Sequence, residues 1–556
     1  MSLADYFGIA EATRNTRNFL LQEDLIEYFS SYPDGDKWII LSHYDDYEDP
    51  VENFGIFCAL LPKSQIDSAL TYSSWDLSAD GPRPGFSGSS SAQGQGLEYK
   101  YFNHHSPEEV EPILIFRNFH GLRPSSIEVS EEFRLFHNLY WESSKNSYVK
   151  FDDDGEEDVV IQVIGKSYKC RKKYLLQFAA AKSKIFSWYF SVNRYVDDYN
   201  NDSQEWMDNS KADRTIELCI RPSGCIPHKP AYLSTLCGKI IIDPGDVSKS
   251  GIWPYEIKHE DFPDFVIGQD NQENLIRSTC NYSALTNYFK EVPGAAHVFT
   301  PVFFKKEVLK KYYDHSEKYS VSDGRISCGT LWSFQIDNDM DAYVSVFLGD
   351  IGKYMPNSER QHWLIYNIPP EGSISLTCFK RSFMGEPHNA DSPDLKFRYL
   401  YVKFIEGWLN KHGWSFFNAL HQDDSYHLDT IRIPLIENQT EFDAQIGSLT
   451  KLLIDSLNEK KFKDFIVLEK DDKGIRKLEK YLLAYSFMEV DKTIKYFRNL
   501  QDLRSKMHAH NKGDSYEKII KSLKGNQTIK LFMSQMLEEA CDCLNAIGNH
   551  FGIFDK

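Results

Sequence analysis

The sequence predicts a large α+β region followed by an all-α bundle of four or five helices. Three observations carry that prediction. Residues 1–437 are dominated by short β-branched and aromatic runs separated by turn clusters, the pattern of strands. From about Thr440 apolar residues recur at three- and four-residue spacing, the pattern of buried helix faces. The charge balance shifts at the same place: residues 1–440 hold 43 Lys and Arg against 63 Asp and Glu, whereas residues 441–556 hold 20 against 18.

A chain of 556 residues has room for roughly two to four domains. Its ten Trp and 37 Phe supply real cores and exclude a disordered chain. No apolar run is long enough to span a bilayer, and the start, Met1 to Phe7, lacks a basic-then-apolar leader. A cytoplasmic protein without membrane contact is the expectation. The ten cysteines are scattered without a C-x-x-C pair, so reduced thiols are expected and no metal or other cofactor. Cys541 and Cys543 fall on different faces of an expected helix.

Taken in order, Trp38–Leu41 and Phe54–Leu61 read as strands, with loops at Tyr32–Gly35 and the acidic Tyr44–Pro50. The Gly/Ser-rich stretch 81–96 reads as a mobile loop or linker, possible ground for two subdomains in 1–437. Pro112–Phe116 reads as a strand, and Ser130–Trp141 as a capped helix burying Phe133, Phe136 and Tyr140. A strand at Asp158–Ile164, a turn at Gly165–Lys166 and a helix from about Lys172 to Tyr189 follow. Asp158 and Lys166 invite comparison with nuclease strands, but Gln162 and Val163 stand where an acidic residue and its spacing are wanted.

Ile216–Ile220 and Lys239–Ile242 read as strands, as does Val302–Phe304 before an amphipathic helix, Lys306–Tyr313. Gly329–Ile336 and Ala342–Leu348 read as a hairpin joined by Asp337–Asp341. That acidic connection lacks the Gly and closing Glu of a calcium loop and reads as a solvated turn. The aromatic stretch Gln361–Asn367 reads as core. A helix over 396–420 with Phe397, Leu400, Phe404, Trp408 and Leu409 inward, and a strand at Ile431–Leu435, complete the first region.

The bundle, placed at 438–556, has four apolar stripes. They are Ile446 to Leu457; Ile475, Leu478, Leu482 and Leu483; Ile494, Phe497, Leu500, Leu503 and Met507; and Phe532 to Leu544. Between Lys492 and Lys530 ten basic residues face three acidic ones, a local attractor for phosphate. Arg504 lies on the third stripe's helix, and His510 follows six positions later before Asn511-Lys512-Gly513, a helix stop. Arg221…His228 and Arg381…His388 show similar spacing, but Pro and Gly in both stretches read as non-helical.

Leu503-Arg504-Ser505-Lys506-Met507-His508-Ala509-His510 within a basic all-α segment resembles the HEPN superfamily (higher eukaryotes and prokaryotes nucleotide-binding domains). These are helical bundles, many of them ribonucleases of toxin, abortive-infection and CRISPR-linked systems. Their signature is Arg, a polar residue, then His after four to six positions. Arg504 and His510 match it, Ser505 takes the polar place where Asn, Asp or His is usual, and His508 stands second with a gap of three.

The resemblance covers about 440–556 and implies metal-independent RNA cleavage by attack of the 2′-OH. His510 would move the proton and Arg504 would hold the phosphate. Lys506, Lys512, Lys518 and Lys521 would bind and steer the RNA. It also implies a homodimer through the bundle. The acidic 1–437 region would sense a protein or nucleic-acid trigger, as in bacterial anti-phage or toxin systems. The alternative is a non-catalytic RNA- or partner-binding scaffold whose bundle only dimerises.

Overall fold

The computed structural model describes residues 17–44, 51–71, 86–90, 97–101, 110–117, 119–165, 167–197, 204–223, 231–256, 260–370, 372–469, 471–507 and 520–554. They fall into two compact units, Met1–Asp152 with Glu156–His259, and Asp153–Gly155 with Glu260–Lys556. The fold is an α+β mixture, with a large sheet in the first unit and helices concentrated at the C-terminal end. Among the described residues no helix is long and apolar enough to cross a membrane.

The first unit is built on an eleven-stranded antiparallel sheet. Its centre is the strand Lys184–Val196, paired with Glu52–Pro62 on one side and Ala231–Ile242 on the other. Trp38–Tyr44 links this half to the strands Ser167–Arg171, Glu157–Ile164 and Ser147–Phe151. Phe29, Trp188 and Phe190 pack in the core, and Trp188 Nε1 donates to Ile40 O at 2.6 Å.

The expected helix from Lys172 to Tyr189 ends at Ala181. Ser183, at φ 54°, breaks it, and the β-branched and aromatic run that follows takes the central strand instead. Similarly, the helix at Glu131 stops at His137 because Asn138 turns left-handed, so Tyr140 lies exposed on a strand rather than buried. In the Gly/Ser-rich stretch Phe86–Ser90 is a strand paired with Leu97–Tyr101, so this part is not the expected loop. Asp45 to Pro50 and Lys166 lie outside the described residues.

The second unit begins with short sheets. Pro301–Lys305 lies between Tyr343–Phe347 and Asn367–Ile368, while Tyr319–Ser322, Arg325–Cys328 and Trp332–Gln335 form a meander. The expected hairpin therefore does not form: its two arms belong to different sheets, and one isolated bridge joins Asp337 of the connection to Ser345 of the second arm. Nor is its acidic connection solvated, since Asp337 and Asn338 are buried and take hydrogen bonds from Ser375 N and Gly324 N.

No strand forms at Ile431–Leu435. The amides of Arg432, Ile433 and Leu435 donate to the side chains of Gln445, Asp394 and Glu441, which leaves no ladder. Trp363 of the aromatic stretch is core, donating to Tyr312 Oη at 2.6 Å.

The helices Pro393–His412, Gln439–Thr450, Gly474–Ala484, Val490–Met507 and Ile529–His550 share one core. Among the side chains described, its apolar stripes match the expected ones except at Leu409 and Leu483, which are exposed, and the Met507 side chain lies outside those described. This core takes in Phe397, Phe404 and Trp408, upstream of the boundary expected at 438.

Candidate functional site

Helix Val490–Met507 turns Ile494, Phe497, Leu500 and Leu503 into the core, which leaves Arg504 at the edge of the buried stripe. It lines a groove of about 550 Å3 in the second unit. Two further elements shape the groove. Helix Gln439–Thr450 starts where the Asn438 side chain accepts Thr440 N and Glu441 N, and it runs into a π-helical turn, Lys451–Asp455. The short helix Tyr426–Thr430 brings in His427. A wide turn of this kind interrupts regular packing and often marks functional positions.

Arg504 Nη1 donates to Asp455 Oδ1 at 2.6 Å, and both side chains are about one-third exposed. Lys451 reaches Asp424 at 2.8 Å, and this bond holds its ammonium above its ordinary pKa. His427 Nδ1 lies 2.9 Å from Ser448 Oγ, while Nε2 has no partner among the described residues. Burial, reinforced by Lys451, pushes the His427 imidazole below its ordinary pKa, against the pull of Asp424 and Asp455. A neutral imidazole, a guanidinium and an ammonium thus line one open groove, alongside the carboxylates of Asp443 and Asp455. The groove is charge-balanced rather than strongly basic.

The sequence-predicted residues divide as follows. Arg504 is in the groove. Ser505 is exposed and its hydroxyl donates back to Gln501 O at 2.8 Å, within its own helix. Lys506 is half-buried and Lys521 exposed, and neither lines the groove. His508, His510, Lys512 and Lys518 lie outside the described residues. Among the described residues, the histidine that shares the groove with Arg504 is His427, far upstream in sequence, and no local spacing signals it. Among the described residues no cluster of three or more His, Cys, Asp or Glu is arranged to hold a metal. Cys541 and Cys543 are both buried, and burial pushes their thiols up to about 12.

The chain matches no protein-family model, no curated protein and no solved structure.

Proposed function

We propose that the helical end of the chain is a HEPN-like bundle and that the protein is a metal-independent endoribonuclease acting through the Arg504 groove. The observation that supports this most is the sharing of one open groove by Arg504 and the neutral imidazole of His427. RNA carries its own nucleophile, so cleavage needs a base, an acid and charge stabilisation.

In this reading His427 Nε2 takes the 2′-OH proton and the 2′-oxygen attacks phosphorus. The P–O5′ bond breaks, and the 5′-oxygen leaves with a proton from water or from His510. A 2′,3′-cyclic phosphate remains. Arg504 holds the non-bridging oxygens with its planar fork. Lys506, Lys512, Lys518 and Lys521 steer the strand. The active form is a cytoplasmic homodimer, and the acidic N-terminal region gates it in response to a trigger, in the manner of a bacterial anti-phage effector.

The test is purified protein with single-stranded RNA in the presence of a chelator. Cleavage to cyclic-phosphate ends that disappears in Arg504→Ala and in His427→Ala supports the reading, and cleavage that needs an added divalent ion rejects it. A second reading, a non-catalytic partner- or RNA-binding scaffold that dimerises, is favoured by one observation. Asp455 already occupies Arg504, as expected of a structural ion pair. RNA binding without cleavage by either wild type or Asp455→Asn would select it.

A further inference from the structure

A second cleft, of about 290 Å3, opens in the same unit away from the Arg504 groove, lined by residues between Asp323 and Ser382. Its floor is the connection that the sequence presents as a solvated turn. Asp337 and Ser345 form an antiparallel bridge, each amide donating to the other's carbonyl at 2.8 and 3.1 Å. Directly opposed residues of such a pair project their side chains to one side, roughly 5 Å apart at Cβ. With both backbones satisfied, the two side chains are what the floor offers.

Those side chains are buried and poorly partnered. Asp337 is 5 % exposed. Its Oδ2 accepts Ser375 N at 2.7 Å, but Oδ1 has only Asp339 N at 3.4 Å, beyond the usual N–H···O range. Among the described residues no Lys, Arg or His forms an ion pair with it. Ser345 is 3 % exposed and its hydroxyl has no partner among the described residues. The Asp337 carboxylate, with one good hydrogen bond and no ion pair among the described residues, keeps acceptor capacity for a donor from outside the chain.

Most of the other charges around the cleft are already engaged by charged or backbone partners, and Arg325 by a hydroxyl. Arg381, on the π-helical turn Lys380–Met384, holds Asp323 with two bonds of 2.7 Å. Asp339 accepts from Thr377 Oγ1, Asp391 N and Ser392 N at 2.6 to 3.0 Å. Arg325 donates to Ser333 Oγ. Cys378 stays a thiol, pushed up to about 11 by burial and then by Asp337. Phe347, two residues from Ser345 and so on the same face of the strand, closes one side and packs edge-on against Phe383 at 5.8 Å. Carboxylate, hydroxyl and aromatic ring together form a receptor for a cation.

We propose that this cleft binds a small organic cation, an ammonium or guanidinium on a short carbon chain, through the Asp337 carboxylate and the Ser345 hydroxyl. Its size suits a small molecule or a single side chain rather than a polymer. The site stands independently of the nuclease reading.

The experiment is titration calorimetry on the full chain with agmatine, alongside butylurea as a neutral isostere and an arginine blocked at both ends. The expected result is agmatine binding with a Kd below about 1 mM, weakened at least about tenfold in Asp337→Asn and several-fold in Ser345→Ala. Binding is expected to be unchanged in Arg504→Ala. Preference for agmatine over blocked arginine assigns a free metabolite, and the reverse assigns a partner's side chain. Both outcomes support the cation site. Failure of both cations to bind, equal binding of butylurea, or an affinity untouched by Asp337→Asn overturns it. If Asp337→Asn does not fold, an unchanged affinity in Ser345→Ala overturns it instead, because that substitution removes only an unpartnered hydroxyl.

Discussion

Asp455 is bonded to the Arg504 guanidinium, and under the proposed nuclease reading the strength of that one pair governs access of a phosphate to the groove. Both side chains are partly exposed, so the pair is worth about 0.2–1 kcal/mol. A phosphate that accepts two guanidinium bonds can displace it. Asp455→Asn should therefore tighten binding of a short RNA about two- to fivefold, read by fluorescence anisotropy at fixed salt; unchanged or weaker binding would show that Arg504 is no phosphate site.

Under the same reading, with His427 as the base, this residue sets the pH range of cleavage. Its pKa is depressed, so the base form survives below the ordinary histidine value. The acid limb of a cleavage–pH profile should accordingly lie below about pH 6.5, and a limb above that value would point to another base.

His137 makes a matching prediction for stability. It is buried among Phe133, Phe136 and Tyr174, and burial lowers its pKa from 6.5 to about 4. The folded state binds the proton more weakly than the unfolded one. Its contribution is thus complete above pH 6.5 and is lost as pH falls toward 4, at most about 3 kcal/mol. His137→Gln keeps a donor for Tyr174 O but cannot titrate, so its urea midpoint should fall less between pH 7 and 4.5 than that of wild type. At this scale the place of Arg504 on a helix was legible from the helical period. His427 was not, because only the tertiary fold joins Tyr426–Thr430 to the Arg504 helix.

Elements were legible where local pattern and final environment agree. Trp38–Leu41, Phe54–Leu61 and Lys239–Ile242 are apolar runs bounded by breakers, and each is a strand. Lys184–Val196 was hidden because its first half, buried on both faces, loses its alternation, and only the short polar break Lys182-Ser183-Lys184 parts it from the apolar helix before it. The 337–341 connection was misread for the opposite reason. Asp and Asn look solvated by composition, yet their side chains can replace backbone partners for loops that carry no ladder.

The central sheet offers a direct test of its packing. A Cβ at Gly238 would lie 2.2 Å from Thr215 O and 2.5 Å from the Phe190 ring. Both neighbours are fixed by pairing, Phe190 opposite Gly238 and Thr215 opposite Lys239. Gly238→Ala should cost about 1–3 kcal/mol or more, seen as a lower urea midpoint at unchanged slope. A neutral effect would mean that the strands are less closely packed than this register requires.

For the whole molecule, the question is where an autonomous helical domain begins. Sequence patterning placed the boundary at 438, because the charge shift and the unbroken helical spacing both start near there. Packing extends the core further upstream. Tyr401 Oη donates to Leu452 O at 2.9 Å, and Trp408 lies 4.4 Å from the Phe416 ring and 5.0 Å from the Phe551 ring. Lys411 Nζ donates to Gly552 O at 2.7 Å, and a Cβ at Gly407 would meet Ile553 at 2.4 Å. A fragment starting at 438 would lose the helix Pro393–His412 that covers Ile529–His550. Phe404 and Trp408 are both fully buried, and deleting a side chain of that size costs about 3–5 kcal/mol each. Their joint loss is comparable to the whole stability of a typical domain, about 5–15 kcal/mol. Residues 260–556 should therefore unfold cooperatively on heating, followed by circular dichroism, while residues 438–556 should show a broad, non-cooperative melt. A sharp transition in the shorter fragment would mean that the upstream helix only rests on a bundle already complete without it.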